Sequence, residues 1–161
     1  MSPEQSDTDS ELITRLRSDL TTALKARDRL RADTIRGVLT AVSRAETSGT
    51  EAVRLTENQV RDVVISEAKK RRESAEAYRN ADRPELADKE EAEGAVLAEY
   101  LPAALSDEEI SKLVADAIAS TGAAELGVRG MGKVMGVVTP QTKGRADGKA
   151  VADEVKRQLS A

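Results

Sequence analysis

The residues with the most chemical promise lie between Gly127 and Gly148, where the chain reads GVRGMGKVMGVVTPQTKGRADG. Six of the chain's ten glycines fall in these 22 residues, together with Lys133, Lys143 and Arg145. Lys149 follows directly. Glycine surrenders the most backbone entropy on folding, so a cluster of glycines needs a reason: positive-φ turns, close helix approach, or backbone laid against a ligand. Gly127 to Lys133 matches G-x-x-x-x-G-K, nearly a phosphate-binding loop. The hydroxyl residue that would hold Mg²⁺ is replaced by Val134, and Gly122 to Leu126 does not read as the buried strand such a loop needs. The dinucleotide pattern G-x-G-x-x-G also fails, because Gly130 and Gly132 are followed by Gly136, one place late. Nucleotide binding is therefore not expected.

Packing explains most of these glycines at the level of sequence. Gly132 and Gly136 lie one helical turn apart, where small residues would let another helix approach closely. Met131, Val134, Met135 and Val138 would fill the core around them. Gly130 belongs to the same run, Gly144 suits a positive-φ turn, and Asp147 stands where the last helix needs an N-cap. Packing does not explain the cations. Lys133, Lys143, Arg145 and Lys149 surround turns and helix starts, where backbone N–H groups also point outward, and that combination suits phosphate oxygens. Solvated lysines are the competing reading, and both stand. No aromatic residue is at hand to stack single-stranded bases. A nucleic-acid contact here would be to backbone and shape, as with a folded RNA.

Composition narrows the remaining chemistry. The chain has 161 residues, which suits one domain or two small ones. It contains no cysteine and no histidine. Disulfides, thiolate catalysis, Cys/His zinc sites, a histidine base and a Ser-His-Asp triad are all excluded. No catalytic residue, metal or cofactor is expected. The net charge is −4, which argues against nucleic-acid binding by the whole surface. The charge is uneven, however: residues 127–161 hold seven basic and three acidic residues. No apolar run approaches the about 20 residues of a membrane span. The polar, acidic start MSPEQSDTDSE is unlike a secretory signal. A cytoplasmic chain with residues 1–9 disordered is the expectation.

The elements that must position these residues are helices throughout. Leu12, Ile13, Leu16, Leu20 and Leu24 recur at helical intervals after a capping-box spacing at Thr8 and Glu11. A second helix is predicted from about 29 to 46, with Ile35, Val38, Leu39 and Val42 on one face. A third opens at the Thr56–Gln59 capping box and runs to about Asn80. On its stripe Glu67 and Arg71 are four apart, an order that favours an ion pair; a ligand-binding arginine in a groove is the alternative. The run Lys69 to Arg72 reads as a self-paired, solvated face, since a helix scatters it around its circumference. A fourth helix, about 84–100, carries Glu85, Asp88, Glu90, Glu91 and Glu93, read as solvated rather than as a metal site. Leu101-Pro102 marks a boundary, because proline disfavours helix in the residue before it. Beyond it come a helix opening at Ser106, a short helix at about 131–138 and a last one at about 148–159. The prediction is all-α: an N-terminal bundle of about four helices over 10–101 and a smaller three-helix domain over 102–161.

Gly130-Met-Gly-Lys-Val-Met-Gly136, followed by Lys143-Gly-Arg-Ala-Asp-Gly148, resembles the signature of the YqeY family. The resemblance extends upstream to Arg36 with Leu39–Ala45, to Arg83-Pro-Glu-Leu86, to the acidic helix at Glu90, and to Tyr100-Leu-Pro102 with Ser106–Glu109. That family is similar to the tail domain of GatB, the B subunit of the glutamine-dependent tRNA amidotransferase. The resemblance implies tRNA recognition through Lys133, Lys143, Gly144, Arg145 and Asp147. GatB tails tend to carry proline after the Asn or Asp where this chain has Gly148, which favours capping by Asp147. Possible partners are tRNA, an aminoacyl-tRNA synthetase or an amidotransferase subunit. Carbon–nitrogen ligase activity with glutamine as amide donor follows only by association with GatB. The chain lacks a glutaminase Ser-Ser-Lys arrangement, so catalysis by it alone is not expected. A module that docks a protein through the fourth helix is the other reading.

Overall fold

The computed structural model of the protein describes residues 9–161. Those residues form seven α-helices and one 3₁₀ segment, with no strand among them, so the chain is all-α as expected. It divides into two compact units between Leu101 and Pro102.

The N-terminal unit contains α1 (Glu11–Lys25), α2 (Arg29–Glu46), α3 (Glu57–Asn80) and α4 (Pro84–Ala98). Each start has a local cause. The Ser10 side chain accepts from the Ile13 N–H at the head of α1. The expected Thr8 cap lies outside the described residues. Thr56 and Gln59 cap each other's backbone at α3, a reciprocal box that satisfies two otherwise open donors. Pro84 opens α4 at a position where its missing N–H costs nothing. The core gathers Leu12, Ile13 and Leu16 of α1 with Ile35, Val38 and Val42 of α2. Val60 and Val64 of α3, Val96 and Leu97 of α4, and Tyr100 complete it. Leu24, which shares the helical spacing of Leu16 and Leu20, is 47% exposed, whereas Ala23 beside it is the buried residue of the last turn of α1.

Arg71 is tied to more than Glu67. It lies 3.9 Å from Glu67, 3.5 Å from Glu90 and 3.3 Å from Glu93, all with largely buried side chains. Gly94 of α4 and Gly37 of α2 leave room beside it: a Cβ there would lie 3.7 and 3.8 Å from Arg71 atoms. The structural pair expected at Glu67 is thus one arm of a four-residue cluster joining α3 to α4. The acids of α4 are correspondingly not a merely solvated face, since Asp88 and Glu91 also bind Arg79.

The C-terminal unit contains α5 (Asp107–Thr121), the 3₁₀ segment (Ala123–Gly130), α6 (Met131–Thr142) and α7 (Gly148–Leu159). Its core is aliphatic: Ile110, Val114, Ala123, Val134, Val138, Val151, Val155 and Leu159 are all buried. The 3₁₀ segment was not foreseen, and α6 runs past the expected stop at Val138 through Pro140 to Thr142.

Candidate nucleic-acid interface

The glycines between 122 and 148 separate into two groups by what surrounds them. Gly122, Gly127 and Gly144 have φ of 68°, 56° and 75°, a region that side chains rarely adopt. Gly127 has ψ of −143°, which breaks the 3₁₀ segment and reverses its course. Gly130 is required for a different reason: a Cβ there would lie 2.9 Å from both the Cβ and the carbonyl oxygen of Ala123. These four glycines let the chain turn from α5 into α6, and from α6 toward α7, within a few residues.

Gly132 and Gly136 behave otherwise. Both are exposed, and a Cβ on either would meet nothing within 4 Å. The close helix approach expected of them is therefore absent among the described residues. The inward face of α6 is set by Val134, Val138 and Thr142, all buried and spaced four apart. At 100° per residue, Gly132 and Gly136 fall on the opposite side, with Thr139 and Pro140. Pro140 has no N–H to return to the Gly136 carbonyl, so that acceptor loses its usual helical partner.

The predicted cations are distributed along this surface rather than gathered at one point. Lys133 is exposed near the start of α6, and Lys143 is exposed just past its end. Ten residues of helix place their backbones about 15 Å apart. Lys149 is exposed in the first turn of α7, whose N-cap is Asp147, accepting from the Lys149 N–H at 3.5 Å. Among the described residues the side chains of Lys133 and Lys149 have no polar partner. Arg145 is employed within the unit. Its Nε donates to the Ala103 carbonyl at 3.2 Å, and its own carbonyl accepts from Leu105 N–H at 2.7 Å. Arg145 thereby fastens the segment leading into α5 to the turn between α6 and α7, and is half-buried in doing so.

Arg129 was overlooked at the level of sequence. It is exposed, lacks a polar partner among the described residues, and precedes Lys133 by four positions. Its place inside the same glycine-rich run was the available signal. The near match to a phosphate-binding loop is divided between the 3₁₀ segment and the first turn of α6. Val134 is fully buried in the aliphatic core, so nothing there resembles a cradle between strand and helix.

Elsewhere on the unit, one charged cluster is paired within itself. Arg157 donates twice to Glu154, at 2.6 and 2.9 Å, and Gln158 donates to Glu154 and to Ser111. The Arg157 hydrogen bonds hold the Glu154 carboxyl at about 2, well below its usual range. Near Lys133, by contrast, two helix positions carry no side chain at all.

No helix among the described residues is long and apolar enough to cross a membrane. A family model described as "Yqey-like protein" matches residues 13–159. A fungal protein named "Altered inheritance of mitochondria protein 41, mitochondrial", from Pyrenophora tritici-repentis, is 30% identical over 154 residues, which cover 93% of this chain and 82% of the relative. That name puts the relative in the mitochondrion, a compartment other than the cytoplasm expected here from sequence.

Proposed function

The chain belongs to the Yqey-like protein family, and we propose that it is a non-catalytic accessory that holds a folded RNA, such as tRNA, against the solvent face of α6. The observation that carries this reading is the placement of Gly132 and Gly136, exposed and without neighbours, on either side of Lys133 and ahead of Lys143. Two outward helix positions without a Cβ expose the backbone of the first half of α6. A sugar–phosphate chain could approach that strip more closely than any side-chain-covered helix allows. The Gly136 carbonyl, to which Pro140 cannot donate, would accept from a ribose 2′-hydroxyl, the group that distinguishes RNA from DNA. Lys133 and Lys143, about 15 Å apart, would meet phosphates along α6, with Arg129 and Lys149 beyond its two ends. The resemblance to the GatB tail supports tRNA in particular, and Arg145 and Asp147 then shape the site rather than contact the ligand.

Phosphate contacts release counterions, so log K should fall linearly with log salt. Three to four cations predict a slope of about −2 to −4. Fluorescence anisotropy with bulk tRNA across a salt series measures it. A Lys133→Ala/Lys143→Ala/Lys149→Ala chain should bind at least tenfold more weakly with a shallower slope. Equal binding by that variant would remove the assignment.

A further inference from the structure

The turn between α1 and α2 holds a second concentration of uncommitted charge, this time beside a cavity with both charged and apolar lining. Most arginines of the N-terminal unit are engaged: Arg31 with Glu99, Arg71 with three glutamates, Arg79 with Asp88 and Glu91. Lys25, Arg27 and Arg29 are not; among the described residues their side chains have no polar partner. All three fall within five consecutive positions at the end of α1 and the start of α2. Arg27 and Arg29 line a cavity of about 450 Å³. Its apolar lining is Ala23, Leu24 and Ala32, and its charged lining includes Arg27, Arg29 and Arg36.

Asp28 and Asp33 also line the cavity, but each is already occupied. Asp28 caps α2 by accepting from the Arg31 N–H and pairs with the Arg31 guanidinium at 3.5 Å. Asp33 pairs with Arg36 at 3.7 Å. The charge left over is positive, and the positive end of the α2 dipole adds to it. Leu24 is 47% exposed at this spot, the large apolar residue of α1 that its own unit fails to cover. Arg27 occupies the left-handed position after α1, with φ of 58°. The Asp28 N–H bonds the Ala23 carbonyl at 2.9 Å and the Arg27 N–H bonds the Leu24 carbonyl at 3.2 Å, a Schellman ending whose left-handed residue is usually glycine.

We propose that this cavity docks an acidic, aliphatic segment of a partner protein, its carboxylates on Arg27 and Arg29 and one aliphatic side chain on Leu24. Guanidinium groups match carboxylates in paired, planar hydrogen bonds. The volume lies within the range of ligand pockets and suits one or two side chains. The cavity has no aromatic lining, so a nucleobase would find no stacking partner there. An aliphatic wall beside open arginines instead matches a peptide that alternates Asp or Glu with Leu or Ile. This inference does not rest on the RNA reading of α6, which concerns other residues in the other unit.

The test is selection of a displayed library of random ten-residue peptides against the full chain, with affinities of the enriched peptides measured by anisotropy. The expected consensus contains Asp or Glu beside Leu or Ile. Arg27→Gly/Arg29→Gln should weaken those peptides at least tenfold. Glycine suits the left-handed position, so the variant keeps its fold, as circular dichroism would verify. Leu24→Ser should weaken binding separately, whereas Lys133→Ala/Lys143→Ala should leave it unchanged. Enriched peptides without acidic residues, or equal affinity for the Arg27→Gly/Arg29→Gln chain, would overturn the proposal. So would displacement of the peptides by an RNA oligonucleotide at equal concentration, which would assign the cavity to phosphate.

Discussion

Arg71 shows how much one side chain can organise. It stands between carboxylates from its own helix and from α4, so removing it leaves Glu90 and Glu93 without their cation and Glu67 with only the exposed Lys70. Breaking a fully buried pair costs about 3–5 kcal/mol. The Arg71 side chain is 28% exposed, so water recovers part of that, and about 2 kcal/mol is expected for Arg71→Ala. Urea unfolding would measure it. Arg71→Lys should recover only part of the loss, because a single ammonium cannot reach three carboxylates in the geometry of a planar fork. The Glu67–Arg71 arm was legible in the sequence, being a local i,i+4 spacing. Glu90 and Glu93 were not, because nothing local tells which acids of a distant helix will face one arginine. Gly132 and Gly136 failed in the opposite sense. Their spacing put them on one face correctly, but spacing alone does not say whether that face looks inward.

At the level of elements, the capped and periodic helices were readable and the glycine-rich connections were not. Thr56 with Gln59, Ser106 with Glu109 and Asp147 each announce a helix start through a side chain that satisfies open backbone donors. The 3₁₀ segment has no comparable signature. It depends on Gly127 reversing its course and on Gly130 sitting against Ala123, contacts visible only in three dimensions. Pro140 did not stop α6, because its lost hydrogen bond faces solvent beside Gly136 rather than the core. Between α7 and α5, the Glu154–Arg157–Gln158–Ser111 network makes a pH prediction. The folded Glu154 carboxyl titrates at about 2 against an ordinary 4.5, so its contribution is complete above about 4.5 and disappears as pH falls toward 2. Arg157 is well exposed, which keeps the effect under about 1 kcal/mol. Melting temperatures of the native chain and Glu154→Gln should differ at pH 6 and converge near pH 2. A difference that persists at pH 2 would mean that the glutamate acts through packing rather than charge.

At the level of the whole molecule, two compact units divide the work of burial, each closing its own aliphatic core. With only two aromatic residues in the chain, these cores rely on close packing of Val, Leu, Ile and Ala. That packing makes the exposed strip on α6 stand out, because glycine in a helix costs about 0.5–1 kcal/mol relative to alanine and nothing within the unit requires it there. The family resemblance was legible in the glycine and lysine spacing, whereas the outward orientation of the strip needed the fold. The most direct test is tRNA affinity and thermal stability measured together for the native chain and Gly132→Ala/Gly136→Ala. The account predicts a variant about 1–2 kcal/mol more stable, since two helix-breaking residues are replaced and neither new methyl meets a neighbour. It also predicts that this more stable variant binds tRNA at least tenfold more weakly. Unchanged affinity in the stabilised variant, or no tRNA binding by the native chain at low salt, would contradict it.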